Sequence, residues 1–241
     1  MKRVLLFFAT LWLGIMGASA QEYHYDVNND GEININDVVA LVNKILGKDN
    51  PGEGAGMEAG REVIDLGLPS GTKWASCNVG ATKPEEYGGY YAWGETEEKD
   101  YYDWSTYIHC DGSYSTCHDL GSDISGTEYD VAHVKWGGKW CMPTINECRE
   151  LFANCTYEWT TLNGVNGRKF TGPNGNSIFL PAAGGRWDGD LVRAGEYGYY
   201  WSSTSPDGSY DAFVLGFYSG SAYWYNGLRI YGQSVRPVVR N

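Results

Sequence analysis

Asp65-Leu66-Gly67-Leu68-Pro69-Ser70-Gly71-Thr72-Lys73-Trp74-Ala75-Ser76-Cys77-Asn78-Val79-Gly80-Ala81 sets the reading of most of the chain. Short apolar runs stand between glycines, and the pattern continues to the C-terminus. Glu62 to Leu66, Lys73 to Val79, Ser177 to Pro181, Tyr199 to Ser203, Ala212 to Phe217 and Ser234 to Val238 read as strands. Helical signals are few. The best follows Pro143-Thr144, where Ile145, Cys148, Leu151, Phe152 and Cys155 recur at helical spacing and Thr144 with Glu147 makes a capping box. A weaker one covers about Glu128 to Lys135.

The whole chain has 241 residues, enough for one full domain and a small appendage. Its 18 basic against 30 acidic residues give a net charge of −12, which makes nucleic acid a poor partner. The 33 glycines are roughly twice average usage and argue against a helical bundle. The 10 Trp, 19 Tyr and 7 Phe argue against disorder.

Residues 1–20 have a basic start at Lys2 and Arg3, an apolar core from Val4 to about Met16, and Ala18-Ser19-Ala20 before Gln21. That is the pattern of a secretory signal peptide, and the apolar run is shorter than the ~20 residues a bilayer requires. No cysteine follows the cleavage site to carry a lipid, and no later segment reads as a membrane span. The expected product is secreted or held at the cell surface, with the periplasm as a further possibility. Residues 49–61, rich in glycine and poor in apolar bulk, read as a linker between an N-terminal segment and a main domain at 62–241.

Between leader and linker, residues 26–37 read Asp-Val-Asn-Asn-Asp-Gly-Glu-Ile-Asn-Ile-Asn-Asp. Asp26, Asn28, Asp30, Asn34 and Asp37 fall at loop positions 1, 3, 5, 9 and 12 of a calcium loop, with Gly31 at the sharp turn and the Glu32 carbonyl as a further ligand. A hard cation needs six to eight oxygens converging on one point, and this spacing supplies them. The bland reading is an Asx-rich polar turn. Val38, Val39, Leu41, Val42, Ile45 and Leu46 then recur at helical spacing up to Gly47. The stretch 21–48 resembles a dockerin repeat, an EF-hand-like loop-helix that docks bacterial enzymes onto cohesin domains. The resemblance implies calcium as cofactor, and a cohesin-like protein or a second dockerin-like half as partner. Dockerins use two such repeats and this chain has one, with Ile35 and Asn36 at positions where cohesin binders often carry hydroxyls.

The opening stretch, together with Tyr91-Ala92-Trp93-Gly94-Glu95, Trp140-Cys141-Met142-Pro143-Thr144, Phe179-Leu180-Pro181-Ala182-Ala183-Gly184, Tyr200-Trp201-Ser202-Ser203 and Ser234-Val235-Arg236-Pro237-Val238, resembles the Fibrobacter succinogenes major paralogous domain. The resemblance covers nearly all of residues 62–239. It implies an α+β, C-type-lectin-like fold related to formylglycine-generating enzyme: a twisted antiparallel sheet with two helices and long loops. Cys77 and Cys155 match the family's pattern, which implies that they approach each other across the domain. No activity follows, because such a fold hosts sugar binding, protein binding and oxidase chemistry alike.

The residues themselves carry little catalytic signal. The sugar-binding calcium motifs of C-type lectins are absent, and Ser205-Pro206-Asp207 is only a turn-like echo of them. Glu95, Glu97, Glu98 and Asp100 are the candidates for a hydrolase carboxylate pair, in a run whose default is a solvated surface. His109-Cys110 and Cys117-His118 fit either a disulfide closing a surface loop, which an oxidising compartment favours, or a zinc site. Formylglycine-generating chemistry would need a cysteine near the C-terminus, and none follows Cys155. Rings on loops beside acids and amides suit sugar recognition, since apolar sugar faces stack on rings while hydroxyls bond to polar groups. The loops 184–196 and 219–228 are therefore the expected ligand face, with Arg186, Trp187, Asp188, Asp190, Trp224 and Asn226 as its residues. The expected function is an exported, non-enzymatic module that binds a glycan or protein ligand. An extracellular hydrolase or oxidase, or a purely structural surface protein, are the alternatives.

Overall fold

The computed structural model describes residues 41, 55–206 and 210–240. The chain divides into two compact units, residues 1–50 and 51–241, and the architecture below is that of the second. The leader and the loop at residues 26–37 lie outside the described residues. Of the expected dockerin-like helix only Leu41 is described, helical and exposed.

Thirteen strands and two short helices are described. They run β1 (Ala55–Glu58), β2 (Arg61–Ile64), β3 (Lys73–Ala75), α1 (Val131–Trp136), β4 (Trp140–Cys141), α2 (Ile145–Asn154), β5 (Thr156–Leu162), β6 (Val165–Thr171), β7 (Ser177–Pro181), β8 (Gly185–Trp187), β9 (Asp190–Val192), β10 (Tyr197–Trp201), β11 (Asp211–Tyr218), β12 (Ser221–Leu228) and β13 (Val238–Val239). The unit is thus mostly β, with several antiparallel sheets where one twisted sheet was expected. Their orders are β1-β2-β3-β13-β4, β5-β6-β7, β8-β9 and β10-β11-β12.

Local chemistry explains the boundaries. Thr144 accepts from the Glu147 amide while Glu147 reaches back to the Thr144 amide, so α2 starts at the expected capping box. Asp130 caps α1 through the amides of Ala132 and His133, and its other oxygen takes the amides of Gly126 and Met142. Asn163-Gly164, both at positive φ, close the β5–β6 hairpin. Ala59-Gly60 do the same between β1 and β2, so the second half of the expected linker is a strand pair. The expected strand at Ser234–Val238 shortens to Val238–Val239, because Ser234 bonds to Tyr199 and Trp201 while Val235 bonds to Val79, and Pro237 has no amide to give.

The β10-β11-β12 sheet separates two cores. Successive strand residues face opposite ways, so Tyr199, Trp201 and Val214 join one core with Trp93 and Trp140, while Tyr200, Leu215 and Phe217 join another with Trp74, Leu151 and Phe170. Arg236 is a buried staple between segments. Its guanidinium donates to Asn78 Oδ1 (2.8 Å) and to the carbonyls of Ala75, Ser76 and Phe179.

The cysteines correct one expectation. Cys110 and Cys117 form a disulfide, but Cys77 and Cys155 are buried free thiols in different cores and do not pair. Cys77 is turned toward the Ala81 carbonyl, whereas Cys155 caps the end of α2 among Leu151 and Phe170. Burial pushes the Cys155 thiol up to about 11, which keeps it unreactive.

Candidate functional site: a tyrosine face on the central sheet

Register builds the site. Tyr197 pairs with Tyr218, Tyr199 with Gly216 and Gly216 with Tyr223, and Val214 pairs with both Trp201 and Tyr225. Tyr197, Tyr199, Tyr218, Tyr223 and Tyr225 therefore share one face. Trp187, from β8, packs on Tyr199 at 5.4 Å between ring centroids and on Tyr231 at 5.3 Å. Tyr197 stacks on Tyr199 (5.8 Å, 14°) and on Tyr218 (5.2 Å, 29°), and Tyr218, Tyr223 and Tyr225 continue the row.

The seven rings are rooted in the core at Tyr199, which is buried, while the other six are partly open to solvent. Gly216 is the floor of the row. A Cβ there would stand 2.9 Å from Tyr223 Cε2 and 3.2 Å from Tyr225 Cε1, so only glycine lets both rings lie down over the strand.

Polar groups rim the rings. The exposed Arg193 guanidinium lies 4.6 Å from the centre of the Tyr197 ring. Asp190 is exposed and stands opposite Trp187 in the β8–β9 register. Asp188, at φ 51°, turns that hairpin and exchanges backbone hydrogen bonds with Tyr102. Burial, with the neighbouring Tyr223 hydroxyl, pushes Tyr199 up to about 12. Burial also raises Tyr223, Tyr225 and Tyr231, the last with help from the Asp188 charge. These hydroxyls are neutral at physiological pH and each can both donate and accept.

The expected ligand residues do not form one surface. Trp187, Asp188 and Asp190 border the tyrosine face. Arg186, one residue from Trp187 on the same strand, turns the other way, and its guanidinium lies 5.5 Å from the centre of the Tyr90 ring. Residues 221–228 are strand β12 and not a loop, so Trp224 falls between Tyr223 and Tyr225 on the opposite face of the sheet, and Asn226 with it. Trp224 is 46 % exposed there, beside Phe152 and Arg149. The expected ligand residues left out Tyr197, Tyr199, Tyr218, Tyr223, Tyr225, Tyr231 and Arg193, although Arg193, Tyr223 and Tyr225 fall within the two loops expected to face the ligand. Their signal was the period-two Tyr197-Gly198-Tyr199 and Tyr223-Trp224-Tyr225.

The other candidates have structural work. Glu95 is buried and not solvated: it pairs with Lys99 at 2.8 Å and accepts the Ile108 amide. Glu98 accepts the Tyr90 amide and Glu97 pairs with Lys135 at 3.0 Å, so these carboxylates answer to separate partners. The Cys110–Cys117 bond occupies the two thiols that the zinc reading required, and His109 bonds through Nε2 to the Gly94 carbonyl at 2.9 Å.

Residues 156–238 are similar to a family described as a domain of unknown function, DUF8237. That stretch spans β5 through β12 and so contains both faces of the central sheet. Neither the curated proteins nor the solved structures compared with the chain give a match.

Proposed function

We propose that this chain is an exported binding module whose tyrosine face holds a neutral stretch of glycan. The observation that carries the reading is the row of seven linked rings, half open and rimmed by Arg193, Asp188 and Asp190. Flat rings with neutral hydroxyls at their tips offer stacking and hydrogen bonding together, which is what the two sides of a sugar ring ask for. A continuous row suits several sugar units in line. Rings set on a β-sheet also lose little freedom on binding.

The same reading takes the main domain as C-type-lectin-like, the leader as an export signal, and residues 26–37 as a calcium site attaching the module to a cohesin-like partner or a second dockerin-like half. No helix among the described residues is long and apolar enough to cross a membrane. A glycan array probed with the mature chain, with Tyr223→Ala and with Trp187→Ala tests the binding role. Retention of neutral oligosaccharides by the parent and their loss in both variants supports it. An array on which the parent binds nothing, or on which all three proteins score alike, refutes it. Calcium is tested separately by titrating the mature chain and its Asp26→Ala and Asp37→Ala forms. Equal heats from all three would remove the site.

A further inference from the structure

We propose that Arg149, Trp224 and Asn226 form a second ligand site on the opposite face of the central sheet, and that it takes a carboxylate-bearing sugar, a hexuronate unit of an acidic glycan. The site goes beyond the tyrosine face and does not depend on it. Three kinds of chemistry converge here from two elements. The Arg149 guanidinium of α2 lies 5.6 Å from the centre of the Trp224 ring and 5.9 Å from that of Phe213. Phe213 of β11 stands opposite Asn226 of β12 in register, which sets the Asn226 amide beside the same pair of rings. Arg149, Trp224 and Asn226 are all exposed, and Phe152 supports the tryptophan from behind at 6.1 Å.

Among the described residues no acid offsets the charge on Arg149, and that decides the class of ligand. Two acids share its helix and both are engaged elsewhere. Glu147 is held by Arg240 at 2.8 Å and by the Thr144 amide and hydroxyl. Glu150 takes the amide and hydroxyl of Ser70. Among the described residues no carboxylate lies within ion-pair distance of Arg149, and its one side-chain hydrogen bond is to Asn146 Oδ1 at 3.2 Å. A guanidinium has five N–H donors in a planar fork matched to a carboxylate. Asn146 takes one of these donors, and lying near aromatic faces leaves the others free for a ligand. A neutral sugar would use the tryptophan and leave the charge idle, whereas a bare phosphate would use the charge and leave the ring idle. A uronate ring stacks on Trp224, gives its carboxylate to Arg149 and offers a hydroxyl to Asn226.

The test titrates the mature chain with trigalacturonate and a hyaluronan tetrasaccharide, using galactotriose and cellotriose as neutral controls, by tryptophan fluorescence and calorimetry. At least one acidic probe is expected to bind, about tenfold or more weaker in Arg149→Gln and in Trp224→Ala, since charge-assisted hydrogen bonds and ring stacking each contribute on that scale. Arg149→Lys is expected to fall between, retaining charge without the fork. Tyr223→Ala is expected to leave this binding unchanged, and raising the salt from 0.05 to 0.5 M to weaken it. Failure of both acidic probes to bind overturns the proposal. So does affinity for the acidic probes that survives Arg149→Gln, binding of the neutral controls that falls as far as theirs in Arg149→Gln and Trp224→Ala, or loss of acidic-probe binding in Tyr223→Ala. Thermal melts of each variant guard against misfolding, and a variant that melts far below the parent is replaced by Trp224→Phe or Arg149→Lys for the decision.

Discussion

Replacing Gly216 with alanine tests the tyrosine face without removing a ring. Gly216 lies in the middle of β11 with an ordinary extended backbone, so alanine fits the main chain. Its new methyl would stand 2.9 and 3.1 Å from two atoms of the Tyr223 ring and 3.2 Å from Tyr225, where ordinary contact begins near 3.4 Å. Tyr223 must therefore move outward by roughly half an ångström or more. Overpacking a closed core costs about 1–3 kcal/mol, but this ring is half open and can swing, which sets the cost at the lower end, about 1 kcal/mol. For a domain of this size that is a fall in Tm of about 2–4 °C. A ligand that stacks along the row meets a displaced ring, and a loss of about 1.4 kcal/mol of binding is a tenfold weaker Kd. Gly198→Ala is the contrast. Its methyl would run into the Phe217 ring on the buried side of the same sheet, so it should melt much lower. Calorimetric melts and glycan titrations of both variants give the answer. If Gly216→Ala changes neither Tm nor affinity, or melts as low as Gly198→Ala, the face is not an open platform of the kind described.

Arg236→Met should cost about 3 kcal/mol or more, because it takes a donor from Asn78 Oδ1, from the buried carbonyls of Ala75 and Phe179 and from the half-buried one of Ser76; urea melts at fixed m-value measure it. Glu147 is partly desolvated, which alone would raise its pKa, but hydrogen bonds from Arg240 and Thr144 hold it below the usual carboxylate value. Its folded pKa being depressed, it stabilises the fold above the unfolded pKa near 4.5, and that stability is lost as the pH falls through the folded value. Glu147→Gln should accordingly lower Tm at pH 7 and flatten the acid limb of Tm against pH below about 4.5, as read by differential scanning calorimetry. Breaking the Cys110–Cys117 bond by Cys110→Ser with Cys117→Ser should cost about 2–3 kcal/mol by the loop-entropy argument. It should also loosen Tyr114 from Trp104 and Tyr210, which Trp104 emission reports, while sugar binding at the tyrosine face stays intact.

Elements fixed by local chemistry were legible in the sequence. The Thr144/Glu147 box marked α2, and Ser177–Pro181 was read at its observed bounds. The β5–β6 hairpin was missed although Asn163-Gly164 announces its turn, because Thr156–Thr171 is largely polar and shows no clean alternation. The loop reading of residues 219–228 failed for a related reason. Tyr223-Trp224-Tyr225 looked like an aromatic loop, and reading it as a strand would have sent its tryptophan and its tyrosines to opposite sides. Trp187 stays beside its acids, because its hairpin is short and Asp188 and Asp190 lie next to it in sequence. The partner of a buried thiol is a long-range property, and nothing near Cys77 or Cys155 in the chain announces that they sit in different cores.

The tyrosine face is tested most directly by an NMR titration of the mature chain carrying 13C-labelled tyrosine rings with a neutral oligosaccharide retained on the array. The ring signals of Tyr197, Tyr218 and Tyr223 should shift in proportion to bound sugar while that of Tyr157, on the other side of the sheet, stays in place. Shifts confined to Tyr157, Tyr101 or Tyr114, or a bound sugar that moves no tyrosine signal of the face, would contradict it.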